Sequence, residues 1–343
     1  MSSAFVGVDL GGTKVAIAAL RTNGRSDGGA GELGQSTLRP TELSSSDALV
    51  EQLVAMVDEV KPGRVEAVGV GVPSVVDFST GRVVSSVNVP LADVPLREVL
   101  GERLGVPAFV DNDATVAALA EAHDEQLRLV AHNLVMLTVG TGVGGGLVLG
   151  GRIYRGATGG AGELGHTIVG LHLDGQDPVP DGSEFPQPGS LERVAAGHAL
   201  DRLAIETGKL YPDSALGRLE GEGKTPTGVD AVGAARERDP EAERTVEVWA
   251  ERLGIGIANA INTFDPDEVV IGGGAIVAGD LLLEPAVRIA HEYVHPGLVG
   301  HARIRLARHG LRAGVLGAAL LALHEYEGER GGGGTMSEIV EGR

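Results

Sequence analysis

The sequence has no cysteine among its 343 residues, which excludes disulfides and thiolate metal sites. Positive charge is in short supply: 28 Lys and Arg face 47 Asp and Glu, for a formal net charge of −19. A negative field of that size repels nucleic acid and anionic membranes, and argues against a DNA-binding repressor. No apolar run approaches the roughly 18 residues of a membrane span. The opening stretch AFVGVDLGGTKVAIAAL has no basic leader and carries Asp9 inside its apolar run, so it does not read as a signal peptide. These absences predict a soluble, cytoplasmic protein with neither nucleic-acid nor membrane partners. Aromatic residues are also scarce, at 3%, whereas glycine is abundant with 54 residues. Such a density marks tight turns and close backbone approaches, and hints at phosphate-cradling loops. Biased codon usage accounts for the bulk of it equally well, so position has to decide.

The length suits two domains with a sizeable core. Residues 4–20 read as a strand, a Gly-Gly-Thr-Lys turn and a second alternating strand, and residues 134–154 repeat that plan. Two such hairpins, one per half, suggest duplicated domains facing each other. Helices are expected near 46–60, 95–104, 191–205, 228–236, 240–263 and 281–294, with one opening at residue 113 and a closing one over LRAGVLGAALLALHEYE. Strands are expected at 66–72, at PAFV, at DEVVIGG and at RIRLAR; PSVVDFSTG reads as a loop. Residues 170–190 are loop-like, and the tail from Gly331 reads as a disordered extension. The pattern fits an α/β protein with a cleft between two lobes.

Five motifs could carry chemistry. In Asp9-Leu10-Gly11-Gly12-Thr13-Lys14, the glycines let backbone N–H groups approach phosphate oxygens, Thr13 adds a hydroxyl and Lys14 a charge. Asp9 stands where a phosphate-bound Mg²⁺ needs an anionic or water-mediated partner; an ordinary hairpin turn would use the same residues. Gly140-Thr141-Gly142-Val143-Gly144-Gly145-Gly146 contains a G-x-G-x-x-G pattern. LVLGGRIY then alternates like a strand, whereas a dinucleotide fold requires a helix there. A second phosphate-binding hairpin is the better reading, and no Walker A loop occurs. Asp111-Asn112-Asp113 follows an apolar strand at a helix start, where a carboxylate can accept a proton from a hydroxyl or simply cap the helix. The helix N-terminus is expected to lower that carboxylate's pKa, which phosphoryl transfer tolerates because its transition state is loose. Glu163, His166 and Glu192 are suited to sugar hydroxyls. Gly272-Gly273-Gly274, between strand and helix, either admits a nucleotide to the backbone or permits tight packing.

In this order the motifs resemble the ROK family of bacterial repressors and sugar kinases, most closely its glucokinases. The resemblance runs from Phe5 to about Glu327 and rests on DLGGTK, GVPSVVD, VDNDATVAALAE, LTVGTGVGGG, GGAGELGH, LERVAAG, IGIANAINTFDPDEVVIGGGA and AGVLGAALLA. It implies an actin-like ATPase (ribonuclease H-like) fold with an ATP and sugar cleft between lobes, divided here as 1–112 plus 313–330 and 113–312. It implies transfer of phosphate from ATP, with Mg²⁺, to the 6-hydroxyl of glucose. Fructose, mannose or N-acetylmannosamine as acceptor, polyphosphate as donor, and a non-catalytic sugar sensor are alternatives. Asp113 becomes the general base. Asn88, Asn112, Glu163, His166 and Glu192 become sugar ligands; Gly11, Gly12, Thr13, Lys14, Thr141 and Gly142 cradle the phosphates, and Gly273 lies near the adenosine. A homodimer or homotetramer is the family habit.

Two departures stand out. The family carries a zinc site built from a histidine and a cluster of the form CxCGxxGCxE. Counted back from Glu192, its cysteine positions fall on Ser183, Phe185 and Ser190. Phe185 cannot bind metal and serines are poor zinc ligands, while His166, His172, Asp174, Asp177 and Asp181 offer only a weak substitute. No zinc is expected, and proline and packing must hold the loop. Repressor members also carry a helix-turn-helix ahead of the shared core, whereas DLGGTK begins here within the first dozen residues. That favours the enzyme.

Overall fold

The computed structural model describes residues 3–22, 31–86, 88–171, 179 and 181–330. The expected disordered tail, 331–343, lies outside the described residues. The chain forms two compact units: residues 1–130, 152–161 and 311–343 make the first, and 131–151 and 162–310 the second.

The first unit starts as the alternation predicts, with β1 (Ser3–Leu10) and β2 (Lys14–Thr22) forming an antiparallel hairpin. Short strands β3 (Gly31–Leu33) and β4 (Thr37–Pro40) pair with β2. After α1 (Ser46–Val60), strand β5 (Ala67–Val72) joins β1 in parallel. All six β5 residues are buried, as befits a parallel strand covered on both faces. PSVVDFSTG is not a plain loop but most of a hairpin of β6 (Ser74–Asp77) and β7 (Arg82–Ser86). The Asp77 carboxylate closes its turn by accepting from Ser79 N at 3.0 Å and Thr80 Oγ1 at 2.9 Å. Helix α2 (Leu96–Leu104) leads to β8 (Ala108–Asn112), parallel to β5, and α3 (Asp113–Glu121) follows at once. Leu49, Leu53 and Met56 of α1 and Leu100 of α2 pack on Val6, Val8, Val68, Val70 and Val110 to form one core.

The second unit repeats the plan. Strands β9 (Leu134–Val139) and β10 (Val143–Leu149) form an antiparallel hairpin. An excursion, 152–161, belongs to the first unit and carries the two-residue strand β11 (Arg152–Ile153). The helix expected over 191–205 is two, α4 (Leu191–Ala195) and α5 (Gly197–Leu210), because Ala196 is extended and Gly197 N donates to Gly140 O at 2.7 Å. Helices α6 (Ala215–Gly221), α7 (Gly228–Arg236) and α8 (Pro240–Phe264) come next. Asp239 caps α8 ahead of Pro240, the favoured order for a helix start. Strand β12 (Glu268–Gly272) runs parallel to β9, α9 (Asp280–Tyr293) follows, and β13 (Arg303–Leu306) runs parallel to β12. Both units thus carry a hairpin followed by two parallel strands.

Helix α10 (Ala313–Arg330) returns to the first unit and closes its open sheet face. It lies so close that a Cβ on Gly69 of β5 would collide with Ala318 O, and one on Gly317 with Val116 O of α3. That second contact keeps α3 with the first unit, whereas the sequence division put it in the second lobe. Among the described residues, no helix is long and apolar enough to cross a membrane.

Candidate active site

In the first unit, the predicted residues gather at the carboxyl ends of parallel strands, where open α/β sheets place their chemistry. Asp9, Gly71 and Asp111 occupy one cross-strand row on β1, β5 and β8. The Gly11–Lys14 turn is tight, with Gly11 N donating to Lys14 O at 2.9 Å and Thr41 Oγ1 to Gly11 O at 2.7 Å. Thr13 and Lys14 are exposed, and Asn88 stands beside the turn, 3.1 Å from where a Gly12 Cβ would be. Asn112, not Asp113, caps α3: its Oδ1 accepts from Ala114 N at 2.9 Å and Thr115 N at 3.2 Å, while Nδ2 donates to Ser74 O at 3.4 Å. Asp113 is thereby left free of the capping role, with Oδ1 accepting from Ala114 N at 2.8 Å.

The electrostatics differ from the sequence expectation. The helix N-terminus was expected to lower the Asp113 pKa; instead burial raises it, outweighing the hydrogen bonds from the Ala114 N–H and the Asn112 side chain. Asp9 is pushed up to about 6, first by burial and then by the neighbouring Asp113 charge, with Lys14 opposing. Two buried carboxylates with raised pKa values, one of them pushed further by the charge of the other, suit a place where a cation or a proton is handled.

In the second unit, Thr141 and Gly142 form the β9–β10 turn, tied by Gly140 N donating to Gly142 O at 2.9 Å. The later glycines serve packing: a Cβ on Gly145 would collide with Gly162 O, and one on Gly165 with Val143 O, so the Gly162–His166 stretch lies flat on β10. Glu192 is engaged with this hairpin, its Oε2 accepting from Val143 N at 2.8 Å. Glu163 is exposed, with Oε2 3.6 Å from His166 Nε2. Gly273 has φ +79°, and a Cβ there would meet Val139 O, so only glycine fits.

The zinc the resemblance implies does not fit these residues. Ser190 Oγ is used as the α4 cap at 3.3 Å from Arg193 N, and Ser183 Oγ donates to Asp181 Oδ2 at 2.8 Å. The Phe185 ring stands 4.9 Å, centre to centre, from the His166 imidazole. His166 Nδ1 is buried and has no hydrogen-bond partner among the described residues. Among the described residues no cluster of three or more His, Asp or Glu forms a metal cage; His172, Asp174 and Asp177 lie outside them. Beyond the expected proline and packing, Arg193 holds the loop, donating to Glu184 Oε1 at 2.7 Å and Pro186 O at 3.1 Å. Sequence reasoning passed over Arg193, and also Arg155 of the first unit, because isolated charged residues carry no pattern; it named Asp111 within its motif but gave it no role of its own.

The model of the ROK family matches residues 5–325. The chain belongs to the ROK family. The glucokinase of Halalkalibacterium halodurans is 34% identical over 331 residues, which cover 92% of this chain and 94% of that protein. The crystal structure of a ROK family glucokinase from Streptomyces griseus in complex with glucose and AMPPNP is 31% identical with a TM-score of 0.72, over 94% of this chain and all (100%) of the other. A putative xylose repressor from Caldicellulosiruptor sp. strain Rt8B.4 is 33% identical over 289 residues, 82% of this chain and 68% of its own length. This ROK chain accordingly has the α/β, actin-like ATPase fold.

Proposed function

We propose that this ROK protein is an ATP-dependent sugar kinase acting on a hexose, with glucose as the first candidate and the 6-hydroxyl as the acceptor. The observation that carries the reading is Asp113, a carboxylate at a strand-to-helix junction, relieved of capping by Asn112 and with its pKa raised. Such a group is a better proton acceptor than an ordinary surface aspartate. Asp113 takes the hydroxyl proton as the sugar oxygen bonds to the γ-phosphorus; the bond from that phosphorus to the β-phosphate bridging oxygen breaks, and ADP leaves. Positioning and charge stabilisation dominate in such transfers.

The Gly11–Lys14 turn supplies N–H groups, a hydroxyl and an ammonium for phosphate, and Thr141 and Gly142 offer a second turn of the same kind. Mg²⁺ bound with ATP supplies neutralisation of phosphate charge, and Asp9 is the residue that would face it, since a nearby cation relieves its coupling to Asp113. Gly273 would border the adenosine. Asn88, Asn112, Glu163, His166 and Glu192 are assigned to sugar hydroxyls on the family likeness, and the glucokinase relatives support glucose.

The test is a coupled assay with Mg²⁺-ATP against glucose, fructose, mannose and N-acetylmannosamine, beside sugar binding by calorimetry. Asp113→Ala should lower kcat by about 10²–10⁴-fold and leave the sugar Kd within a few-fold. Activity within a few-fold of wild type would remove Asp113 as the base. Sugar binding without turnover on ATP or polyphosphate would point to a sugar-responsive regulator, the reading the repressor relative favours.

A further inference from the structure

The excursion 152–161 interrupts the second unit's sequence and places Arg155 in the first. Its guanidinium is engaged on three sides. Nε donates to Asp111 Oδ2 at 2.7 Å, Nη2 donates to Glu325 Oε1 of α10 at 2.9 Å, and the central carbon lies 3.4 Å from the middle of the Phe78 ring. Asp111 is 4% exposed, and its second oxygen, Oδ1, accepts from Asn112 N at 2.9 Å. Asn112 in turn caps α3. A continuous set of hydrogen bonds therefore runs from Arg155 through the Asp111 carboxylate to the backbone N–H of Asn112, the residue before Asp113.

We infer that Arg155 is a positioning residue for phosphoryl transfer: through Asp111 it fixes the Asn112–Asp113 turn and so aims the base. The inference rests on the kinase reading. Burial favours the protonated form of Asp111 and the Arg155 charge opposes it. Without the guanidinium, a nearly fully buried carboxylate is left uncompensated, a costly state. It either takes up a proton, which weakens its oxygens as acceptors, or rotates toward water, which breaks the bond to Asn112 N. The engaged Nε and Nη2 donors and the aromatic face leave Arg155 poorly placed to serve a substrate directly. Its action on the reaction is through Asp111.

The experiment compares Arg155→Met, Asp111→Asn and the double variant, reading kcat, KM for sugar and for ATP, Tm, and hydrogen exchange of the Asn112 amide. Arg155→Met should lower kcat by about 10- to 100-fold, with KM for ATP within about twofold and exchange at Asn112 faster by roughly tenfold. Asp111→Asn keeps an oxygen for Asn112 N but carries no charge to compensate. The double variant should therefore recover to within a few-fold of Asp111→Asn alone, a non-additivity that marks a shared path. Arg155→Met with kcat within twofold of wild type overturns the inference. So does an equal loss in both backgrounds, which would mean that Arg155 acts without Asp111. A fall in Tm with normal kcat and normal Asn112 exchange would reduce Arg155 to a clamp on 152–161 and also overturn it. Wild type inactive on every sugar and donor defeats the kinase reading itself; exchange at Asn112 then still decides whether Arg155 holds the turn.

Discussion

Asp9 is a carboxylate kept where it is expensive to ionise, and the expense predicts its behaviour. Its pKa in the folded chain, about 6, lies above the ordinary 3.8. The folded state therefore holds the proton longer than the unfolded state does, and the stability this confers is lost as pH rises from about 4 through about 6. At neutral pH the ionised group costs the free protein on the order of 1–3 kcal/mol. Asp9→Asn removes that cost without changing shape; it should raise the Tm of the nucleotide-free protein at pH 7.5 by a few degrees while cutting kcat/KM for Mg²⁺-ATP at least tenfold. An unchanged or lowered Tm would show that ionising Asp9 carries no cost in the folded chain, neither from burial nor from Asp113. Because burial raises Asp113 too, kcat/KM should climb with pH above the range in which surface carboxylates ionise. That a carboxylate stands where an apolar strand meets a helix was legible in the sequence at Asp113. The direction of its pKa was not, because burial is a property of the packed first unit and the helix terminus is a property of the chain.

The interface of α3 and α10 has its own pH dependence. His123 on the loop after α3 and His324 on α10 place their rings 5.3 Å apart, and His123 Nδ1 is 2.8 Å from Leu119 O. Burial, then His123 and Arg152, depress the His324 pKa to about 4. An unfolded histidine protonates near 6.5, so here the unfolded state binds the extra proton first. Stability is present above that value and drains away as pH falls from about 6.5 toward 4, by about 1–3 kcal/mol. Thermal melts from pH 7.5 to 4.5 should show this slope, and His324→Leu should flatten it; an equal slope in the variant would place the acid sensitivity elsewhere. The elements themselves were largely legible. Apolar periodicity located α1, α2, α8 and α9 to within a residue or two. The β6–β7 hairpin was not, because its turn depends on one Asp77 carboxylate gathering two neighbours. The break between α4 and α5 was hidden too, since it is made by a carbonyl 57 residues away in sequence, Gly140 O.

At the scale of the whole molecule, the two units have separate cores. That of the second surrounds Trp249, the sole tryptophan, which is 2% exposed with Nε1 donating to Ala195 O at 2.8 Å. The first unit depends on α10, whose Val315, Ala318 and Ala319 are buried over the glycine-lined faces of β1 and β5. A chain stopped after Gly310 should lose activity and the first unit's structure, yet keep a blue-shifted tryptophan emission. A red shift to the solvent value would mean that the second core cannot stand without the first. The duplicated plan was visible in the two hairpins of the sequence; the excursion 152–161 was not, as nothing in GRIYRGATGG announces a change of unit.

The return of α10 also sets a timetable for synthesis. Strand β1 leaves the ribosome well ahead of its covering helix, which is encoded some 300 residues later, a delay of roughly 15–60 s at about 5–20 residues per second. Everything the second unit needs has been made before α10 begins. The half encoded first thus completes last, and until it does, the face of β1 and β5 that α10 will cover stays bare, the kind of transiently exposed surface that makes unfinished chains prone to aggregate.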